Sequence, residues 1–127
     1  MILNQITIPS LDVNTGTEFY QKLGLHLIVD ARPRYVRFEL PDGDATFSLH
    51  VVDELPKGDG IAVYFQEENL DAYVEQLQEK GFQFDLLPTD QPWLWREARL
   101  KDPDGNQLIL YSAGKNRKNP PWRIDGV

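Results

Sequence analysis

Residues 101–113 read Lys-Asp-Pro-Asp-Gly-Asn-Gln-Leu-Ile-Leu-Tyr-Ser-Ala. The run 102–106 is typical of a tight turn, because proline fixes its own φ and glycine or asparagine accepts a positive φ. Residues 107–111 then alternate as in a strand, with Leu108 and Leu110 on one face and the other three side chains on the opposite face. This stretch therefore predicts the second half of a β-hairpin.

The same signature occurs earlier in the chain. Residues 40–44 read Leu-Pro-Asp-Gly-Asp, and they precede a second alternating run at 46–52. The stretches 12–24 and 69–81 each begin with an Asp or Asn suited to a helix N-cap, continue with an apolar i, i+3, i+4, i+7 stripe and end on glycine. The repeat predicts an α+β fold in which two β-α-β-β-β modules form paired curved sheets around a cleft.

The expected boundaries follow from the breaker-rich segments. We predict a single domain with module one at 1–53, a linker at 54–60, module two at 61–113 and a tail at 114–127. The predicted strands are Leu3–Ile8, Leu25–Val29, Tyr35–Leu40, Thr46–Val52, Ile61–Gln66, Phe82–Leu87, Trp93–Leu100 and Gln107–Ser112. Pro9 is expected to end the first strand, and Leu94 is expected to pack under the second helix with Ala98 and Leu100. The tail is too rich in proline for a helix, and Trp122 is expected to anchor it.

Composition limits the classes of function. The 127 residues include no cysteine and carry a net charge of −7, which excludes a thiolate site and argues against non-specific nucleic-acid binding. The charge favours a neutral or cationic ligand, although many proteins are acidic only to stay soluble. We find no apolar run long enough to span a membrane and expect no signal peptide, which fits a cytoplasmic protein.

Each predicted helix can cover only one face of its sheet, so the opposite faces must be buried or solvated. Alternation places polar and aromatic side chains on those faces, a mixture that suits a small-molecule site. A solvated sheet face is the alternative. The candidate ligand-binding residues are Gln5, Tyr35, Arg37, Ser48, His50, Trp95, Glu97, Arg99 and Tyr111.

Some of these side chains could also carry chemistry. His50 and Glu97 are candidate catalytic residues, as a general acid and base. The alternative for His50 is a structural hydrogen bond at a strand end, and for Glu97 it is an ordinary charge pair with Arg96 or Arg99. Trp93 and Trp95 could stack on a planar or cationic ligand, or could cover the edge of the core.

Three stretches resemble a known family. They are residues 18–25 (Glu-Phe-Tyr-Gln-Lys-Leu-Gly-Leu), the predicted helix at 69–81 and the hairpin at 96–106. Together they resemble the vicinal oxygen chelate superfamily, which includes glyoxalase I, extradiol dioxygenases, and bleomycin- and fosfomycin-resistance proteins. The resemblance implies the duplicated fold, and it implies a homodimer in which two chains share each site.

The resemblance also implies where a metal would lie. The four ligand positions of the family's metal enzymes fall on Gln5, Ser48, Ala62 and Ile109. Alanine and isoleucine offer no lone pair, so a divalent ion would have only one neutral amide oxygen. A strand shifted by two residues would instead bring together Gln5, His50 and Glu97.

We therefore expect a small-molecule-binding protein of the bleomycin-resistance type, with no catalytic metal and no cofactor. One alternative is a lyase or dioxygenase that uses the shifted ligand set. Another is a metal-free enzyme that uses His50 and Glu97 as acid and base. The expected partners are a small organic ligand and a second copy of the chain, with no nucleic acid and no membrane.

Overall fold

The structure is a computed structural model that describes residues 1–124. In chain order its regular elements are β1 (Gln5–Ser10), α1 (Val13–Leu23), β2 (His26–Ala31), β3 (Tyr35–Glu39), β4 (Thr46–Val51), β5 (Ala62–Gln66), α2 (Leu70–Glu79), β6 (Leu86–Asp90), β7 (Arg96–Lys101), β8 (Gln107–Ser112) and a 3₁₀ helix at Gly114–Arg117. Neither α-helix is long and apolar enough to cross a membrane, and the same holds for all helical segments within 1–124.

The strands form two four-stranded sheets of the same topology. Their orders are β1-β4-β3-β2 and β5-β8-β7-β6. In each sheet the first strand pairs in parallel with the fourth, and the remaining pairs are antiparallel. This arrangement confirms the predicted α+β class and the repeated β-α-β-β-β order.

The chain divides into two compact units. The first contains residues 1–61 and the turn at 102–106, and the second contains residues 62–101 and 107–124. The first unit thus includes a turn that is encoded between two strands of the second. The single domain with its linker at 54–60 stays a prediction.

Helix α1 packs on one face of the first sheet. Its N-cap Asp12 accepts hydrogen bonds from the backbone N–H and the hydroxyl of Thr15, as expected. Tyr20 is fully buried, with its ring centroid 4.6 Å from that of Phe47 and 5.9 Å from that of Phe38. These contacts fix which face of the sheet lies under the helix.

The turn at 102–106 is held by one buried carboxylate. Asp102 accepts hydrogen bonds from the backbone N–H groups of Asp104 and Asn106, from the Asn106 amide and from the Tyr20 hydroxyl, the last at 2.6 Å. Gly105 has φ of 83° and Gly43, in the earlier turn, has φ of 76°, as both turn predictions require. Asp102 therefore fixes its turn to helix α1.

Helix α2 covers one face of the second sheet in the same way. Its buried side chains are Leu70, Val74 and Leu77. Asn69 occupies the N-cap position but its side chain makes no capping hydrogen bond. Asp71 in the first helical turn instead accepts two hydrogen bonds from Arg96 of β7, at 2.8 and 3.0 Å, and these lower the pKa of the Asp71 carboxyl.

Several strand predictions were wrong at proline or tryptophan. Pro9 lies inside β1 rather than after it, which is tolerated because β1 is an edge strand. The strand predicted at 82–87 is displaced to β6, which contains Pro88 and is also an edge strand. Strand β7 begins only at Arg96, because Leu94 sits in a turn with φ of 67°. Leu94 is 48% exposed and does not pack under α2.

The tail also differs from the prediction. It contains a short 3₁₀ helix at Gly114–Arg117, ahead of the prolines that were expected to exclude helical structure. Trp122 is 57% exposed and therefore does not anchor the tail in the core. The anchor is instead Trp95, whose indole N–H donates to the carbonyl of Asn116 at 3.2 Å.

Candidate functional site

Each sheet has an open face, opposite its helix. The first open face carries Gln5, Thr7, Tyr35, Arg37, Glu39, Thr46, Ser48 and His50, since the intervening residues of β3 and β4 are buried on the α1 side. The second open face carries Ala62, Tyr64, Gln66, Trp95, Glu97, Arg99, Gln107, Ile109 and Tyr111. All nine predicted ligand-binding residues lie on these two faces.

Three aromatic rings form a platform on the second open face. Trp95 and Tyr111 are stacked, with centroids 4.6 Å apart and planes inclined by 16°. Tyr64 meets both rings edge-on, at 5.9 and 5.8 Å. Tyr111 is buried beneath this arrangement, which raises the pKa of its hydroxyl, whereas Tyr64 is 51% exposed and Trp95 is partly exposed. We call Tyr64, Trp95 and Tyr111 the aromatic platform.

A buried carboxylate lies on the same face. Glu97 is only 1% exposed. One of its oxygens accepts from the Trp93 indole N–H at 2.6 Å, and the other accepts from Nη2 of Arg99 at 2.9 Å and from its Nε at 3.3 Å. An ionised group is tolerated at such a position only when paired and hydrogen-bonded. Glu97 is therefore a fixed, internally paired charge beside the platform.

The first open face has a different polar network. Ser48 is fully buried, and its hydroxyl is hydrogen-bonded to that of Tyr35 at 2.8 Å. The Tyr35 oxygen also accepts from Nε of Arg37 at 3.0 Å. The Arg37 guanidinium lies 5.6 Å from the centroid of the Tyr35 ring, within the range of a cation–π contact.

The two remaining predicted residues of this face are more exposed. Gln5 lies at the start of β1, and its side-chain oxygen accepts from the Thr46 hydroxyl at 2.8 Å. His50 is exposed near the end of β4, and its imidazole makes no hydrogen bond to any of residues 1–124. The structure thus does not provide the hydrogen bond that was the structural alternative for His50.

Of the two arginines considered as partners of Glu97, only Arg99 pairs with it. Arg99 lies two residues along the same strand and pairs with Glu97 on the open face. Arg96 lies on the helix side and bonds Asp71 and Asp90. The expected charge set therefore divides between the two faces of β7, and only Arg99 belongs to the second open face.

Two contributions were missed at the sequence level. Tyr64 was not a candidate, although it lies two residues beyond Ala62 on the same strand face, and that spacing could have identified it. Trp93 was considered for stacking, but it serves as a hydrogen-bond donor to Glu97. The turn with positive φ at Leu94 brings the Trp93 indole to Glu97, and strand alternation cannot predict such a turn.

The residues at the four expected metal positions do not fit a divalent ion. The Gln5 oxygen is bonded to Thr46, and the Ser48 hydroxyl is bonded to Tyr35. At the other two of these four positions, the side chains of Ala62 and Ile109 have no atom that could coordinate a metal. Within residues 1–124, no group of three or more His, Cys, Asp or Glu side chains is arranged to hold a metal.

The shifted ligand set is also inconsistent with the observed register. Ser48, not His50, lies opposite Thr7 in the β1–β4 pair. Gln5 lies opposite Thr46, whereas His50 lies opposite Pro9, four residues further along. At about 3.3 Å per residue this separates Gln5 from His50 by roughly 13 Å along the strands. They are therefore not neighbouring ligands.

Two cavities lie away from the open faces. One of about 490 Å³ is lined by Pro9, the segment 55–61 and the turn residues 104–106. The other, of about 390 Å³, lies at the start of α2 and is lined by the segment 68–72 with Arg96 and Ser112. Neither is lined by a predicted site residue.

Comparison with known proteins identifies the family. Residues 2–110 match the family model of the glyoxalase/bleomycin resistance protein/dioxygenase superfamily. This protein belongs to that superfamily. The match covers most of the chain and confirms the resemblance inferred from the three sequence stretches. No curated protein matches the sequence at a significant level.

Solved structures of the superfamily share the fold. A glyoxalase/bleomycin resistance protein/dioxygenase from Nocardioides is 22% identical, with a TM-score of 0.79 over 98% of this chain and 90% of that chain. A superfamily member from Sphaerobacter thermophilus is 27% identical, with a TM-score of 0.70 over 88% and 97%. A bleomycin-binding protein complexed with bleomycin is 21% identical, with a TM-score of 0.73 over 88% and 98%.

Proposed function

We propose that this superfamily member binds a small, planar organic molecule on the aromatic platform and holds it without a catalytic metal. The carrying observation is the stack of Trp95 on Tyr111 with Tyr64 edge-on to both. Preformed, partly exposed aromatic rings offer apolar contact area at little cost in side-chain entropy. Ligand sites typically combine such area with a few fixed polar groups.

The neighbouring carboxylate supports this proposal. Glu97 and its donors Trp93 and Arg99 form a paired polar group whose geometry does not depend on a ligand. Three donor contacts hold the Glu97 carboxylate, and they occupy most of its roughly four acceptor positions. The arrangement therefore suits orientation of a bound molecule better than acid–base chemistry.

The fold relatives are consistent with binding. One of them is a bleomycin-binding protein whose crystal structure contains bleomycin. Because its identity to this chain is 21%, it supports the fold and suggests a first probe rather than a ligand. Bleomycin and the planar aromatic cation proflavine are therefore suitable starting compounds.

The test is isothermal titration calorimetry with both compounds on the wild type and on Trp95→Ala. We expect at least one compound to bind, and Trp95→Ala to weaken that binding at least tenfold, which corresponds to about 1.4 kcal/mol. Trp122→Ala is the matched control, because Trp122 is exposed and lies outside the platform. Unchanged affinity in Trp95→Ala, or binding of neither compound, would overturn the proposal.

Two expectations accompany this function. We propose that the protein is a homodimer in solution, and light scattering at several concentrations would measure its mass against the 14.6 kDa of one chain. We also propose a cytoplasmic location, which fractionation of the source cells would test. The absence of cysteine is compatible with that location.

A further inference from the structure

Arg37 and Arg99 occupy equivalent places in the two units. Arg37 on β3 lies opposite Ser48 of β4, and Arg99 on β7 lies opposite Ile109 of β8. Both pairs join the third and fourth strands of their module, and each is the third pair counted from the turn that connects those strands. Each arginine also contacts the open-face residue two positions before it, Tyr35 in one case and Glu97 in the other.

The partners differ in charge. Arg99 is neutralised by the carboxylate of Glu97. Arg37 contacts a neutral phenol, and among residues 1–124 no carboxylate forms an ion pair with it. Arg37 is nevertheless partly buried. Partial burial makes an uncompensated cation unfavourable, so a counter-ion would stabilise it.

The Arg37 side chain is also held in one orientation. Its Nε donates to Tyr35, whose hydroxyl is held in turn by the fully buried Ser48. A guanidinium has five N–H donors, and this contact uses the one on Nε. The two terminal nitrogens remain, and their parallel N–H groups match the two oxygens of a carboxylate or phosphate.

We propose that Arg37 is the binding site for the oxyanion of a small organic ligand, a carboxylate or a phosphate group. The bound oxyanion takes the place at Arg37 that Glu97 takes at Arg99. Tyr35 and Ser48 are positioning residues, because they hold the guanidinium through Nε and make no hydrogen bond to its two terminal nitrogens. The site belongs to the first unit and shares no residue with the aromatic platform.

The local charge outweighs the overall charge at this position. The chain carries −7 in total, which by itself favours a neutral or cationic ligand. Charges on the surface are screened over about 8 Å at physiological ionic strength, whereas a contacting ion pair is screened much less. A direct contact with Arg37 therefore decides which ligand charge is accepted here.

The experiment follows the Arg37 Nε–H signal by NMR during titration with benzoate, phenyl phosphate and the neutral analogue benzamide. We expect a saturable shift with benzoate or phenyl phosphate, at least tenfold tighter than with benzamide. The tighter of the two anions distinguishes a carboxylate from a phosphate ligand. Equal binding of benzamide, or no saturable shift with either anion, would overturn the proposal.

Variants provide the second arm, with affinity measured by calorimetry. Arg37→Gln is expected to weaken anion binding at least tenfold. The control is Arg32→Gln, because Arg32 lies in the same unit and is already paired with Asp30. This control variant is expected to bind the anion as tightly as the wild type. Tyr35→Glu would supply an internal carboxylate and is expected to block anion binding, whereas Tyr35→Phe is expected to weaken it less. Retained affinity in Arg37→Gln would contradict the proposal. Trp95→Ala tests the aromatic platform separately, so the two proposals can fail independently.

Discussion

The two open faces share one backbone plan but differ in their chemistry. In the second unit an arginine is paired with a buried glutamate beside two stacked aromatic rings and a third that meets them edge-on. In the first unit the equivalent arginine is held by a tyrosine and a buried serine, with no carboxylate partner among residues 1–124. The comparison indicates that the two units share the register of their strands, while single positions, such as 35 and 97, determine which polar group each arginine contacts.

The two turns differ in the same manner. Asp102 precedes the proline of the second turn, and the residue at the corresponding position of the first turn is Leu40. Tyr20, which bonds Asp102, lies four residues before the glycine that follows α1, whereas the corresponding residue of α2 is Leu77. One turn thus has a buried polar network and the other, exposed at Pro41–Asp44, does not.

The largest expected effect concerns these turns. Asp102→Ala removes a buried acceptor of four hydrogen bonds and leaves the Tyr20 hydroxyl without its partner. We expect a loss of about 3–4 kcal/mol in the free energy of unfolding, measured by urea denaturation. Asp42→Ala in the exposed first turn is the control and should cost less than about 0.5 kcal/mol. Similar losses in both variants would remove the contrast between the turns.

A smaller effect is expected at the two arginines. Arg99→Met leaves Glu97 buried without its counter-charge, which costs about 3–5 kcal/mol for fully buried pairs. Because the Arg99 side chain is 41% exposed, we expect Arg99→Met to lower the free energy of unfolding by about 2 kcal/mol. For Arg37→Met we expect a loss of less than about 1 kcal/mol. Adding Glu97→Gln to Arg99→Met should recover most of the loss. If Arg37→Met proves the costlier change, the first arginine is paired after all.

The smallest effect is a dependence of the free energy of unfolding on pH, to which Tyr20 of the first unit is expected to contribute most. Burial and the adjacent Asp102 carboxylate raise the pKa of Tyr20 far above its ordinary value of about 10. The contribution of the protonated Tyr20 to the free energy of unfolding is fully present below pH 10. It is lost as the pH rises further, because Tyr20 then ionises only in the unfolded state. The slope is at most about 1.4 kcal/mol per pH unit.

Urea midpoints between pH 9 and pH 11 would measure this slope. Tyr20→Phe should give a shallower decline than the wild type, and Tyr64→Phe, which alters an exposed tyrosine, should not. Burial also raises the pKa of Tyr73 and Tyr111, so some decline is expected to persist in Tyr20→Phe. Identical profiles in Tyr20→Phe and the wild type would show that Tyr20 is not the titrating group.

The repeated fold could be predicted because its signals are local. Alternation, helix stripes and the two Pro-Asp-Gly turns each depend on neighbouring residues, and they gave both modules. The errors lie where tertiary context overrides local preference. Pro9 and Pro88 are accepted because their strands are at sheet edges, which the sequence does not reveal before the strand order is known.

The candidate residues could be assigned to faces, but their pairing could not be predicted. Alternation placed Tyr35, Arg37, Glu97 and Arg99 correctly, since side-chain period alone decides the face. It could not predict that Trp93 donates a hydrogen bond to Glu97, because this contact depends on the turn with positive φ at Leu94. The hydrogen bond from Trp95 to the Asn116 carbonyl likewise joins segments that are distant in the sequence, so alternation could not predict it.

The most direct test of ligand binding on the aromatic platform uses the three tryptophans of the chain. Their indole N–H groups have different surroundings, since Trp93 donates to Glu97, Trp95 donates to Asn116 and Trp122 is largely exposed. In NMR titrations with bleomycin and proflavine, the Trp95 signal should shift most and saturate, while the Trp122 signal stays in place. A dominant shift at Trp122, or no saturable shift at Trp95, would contradict binding on the platform.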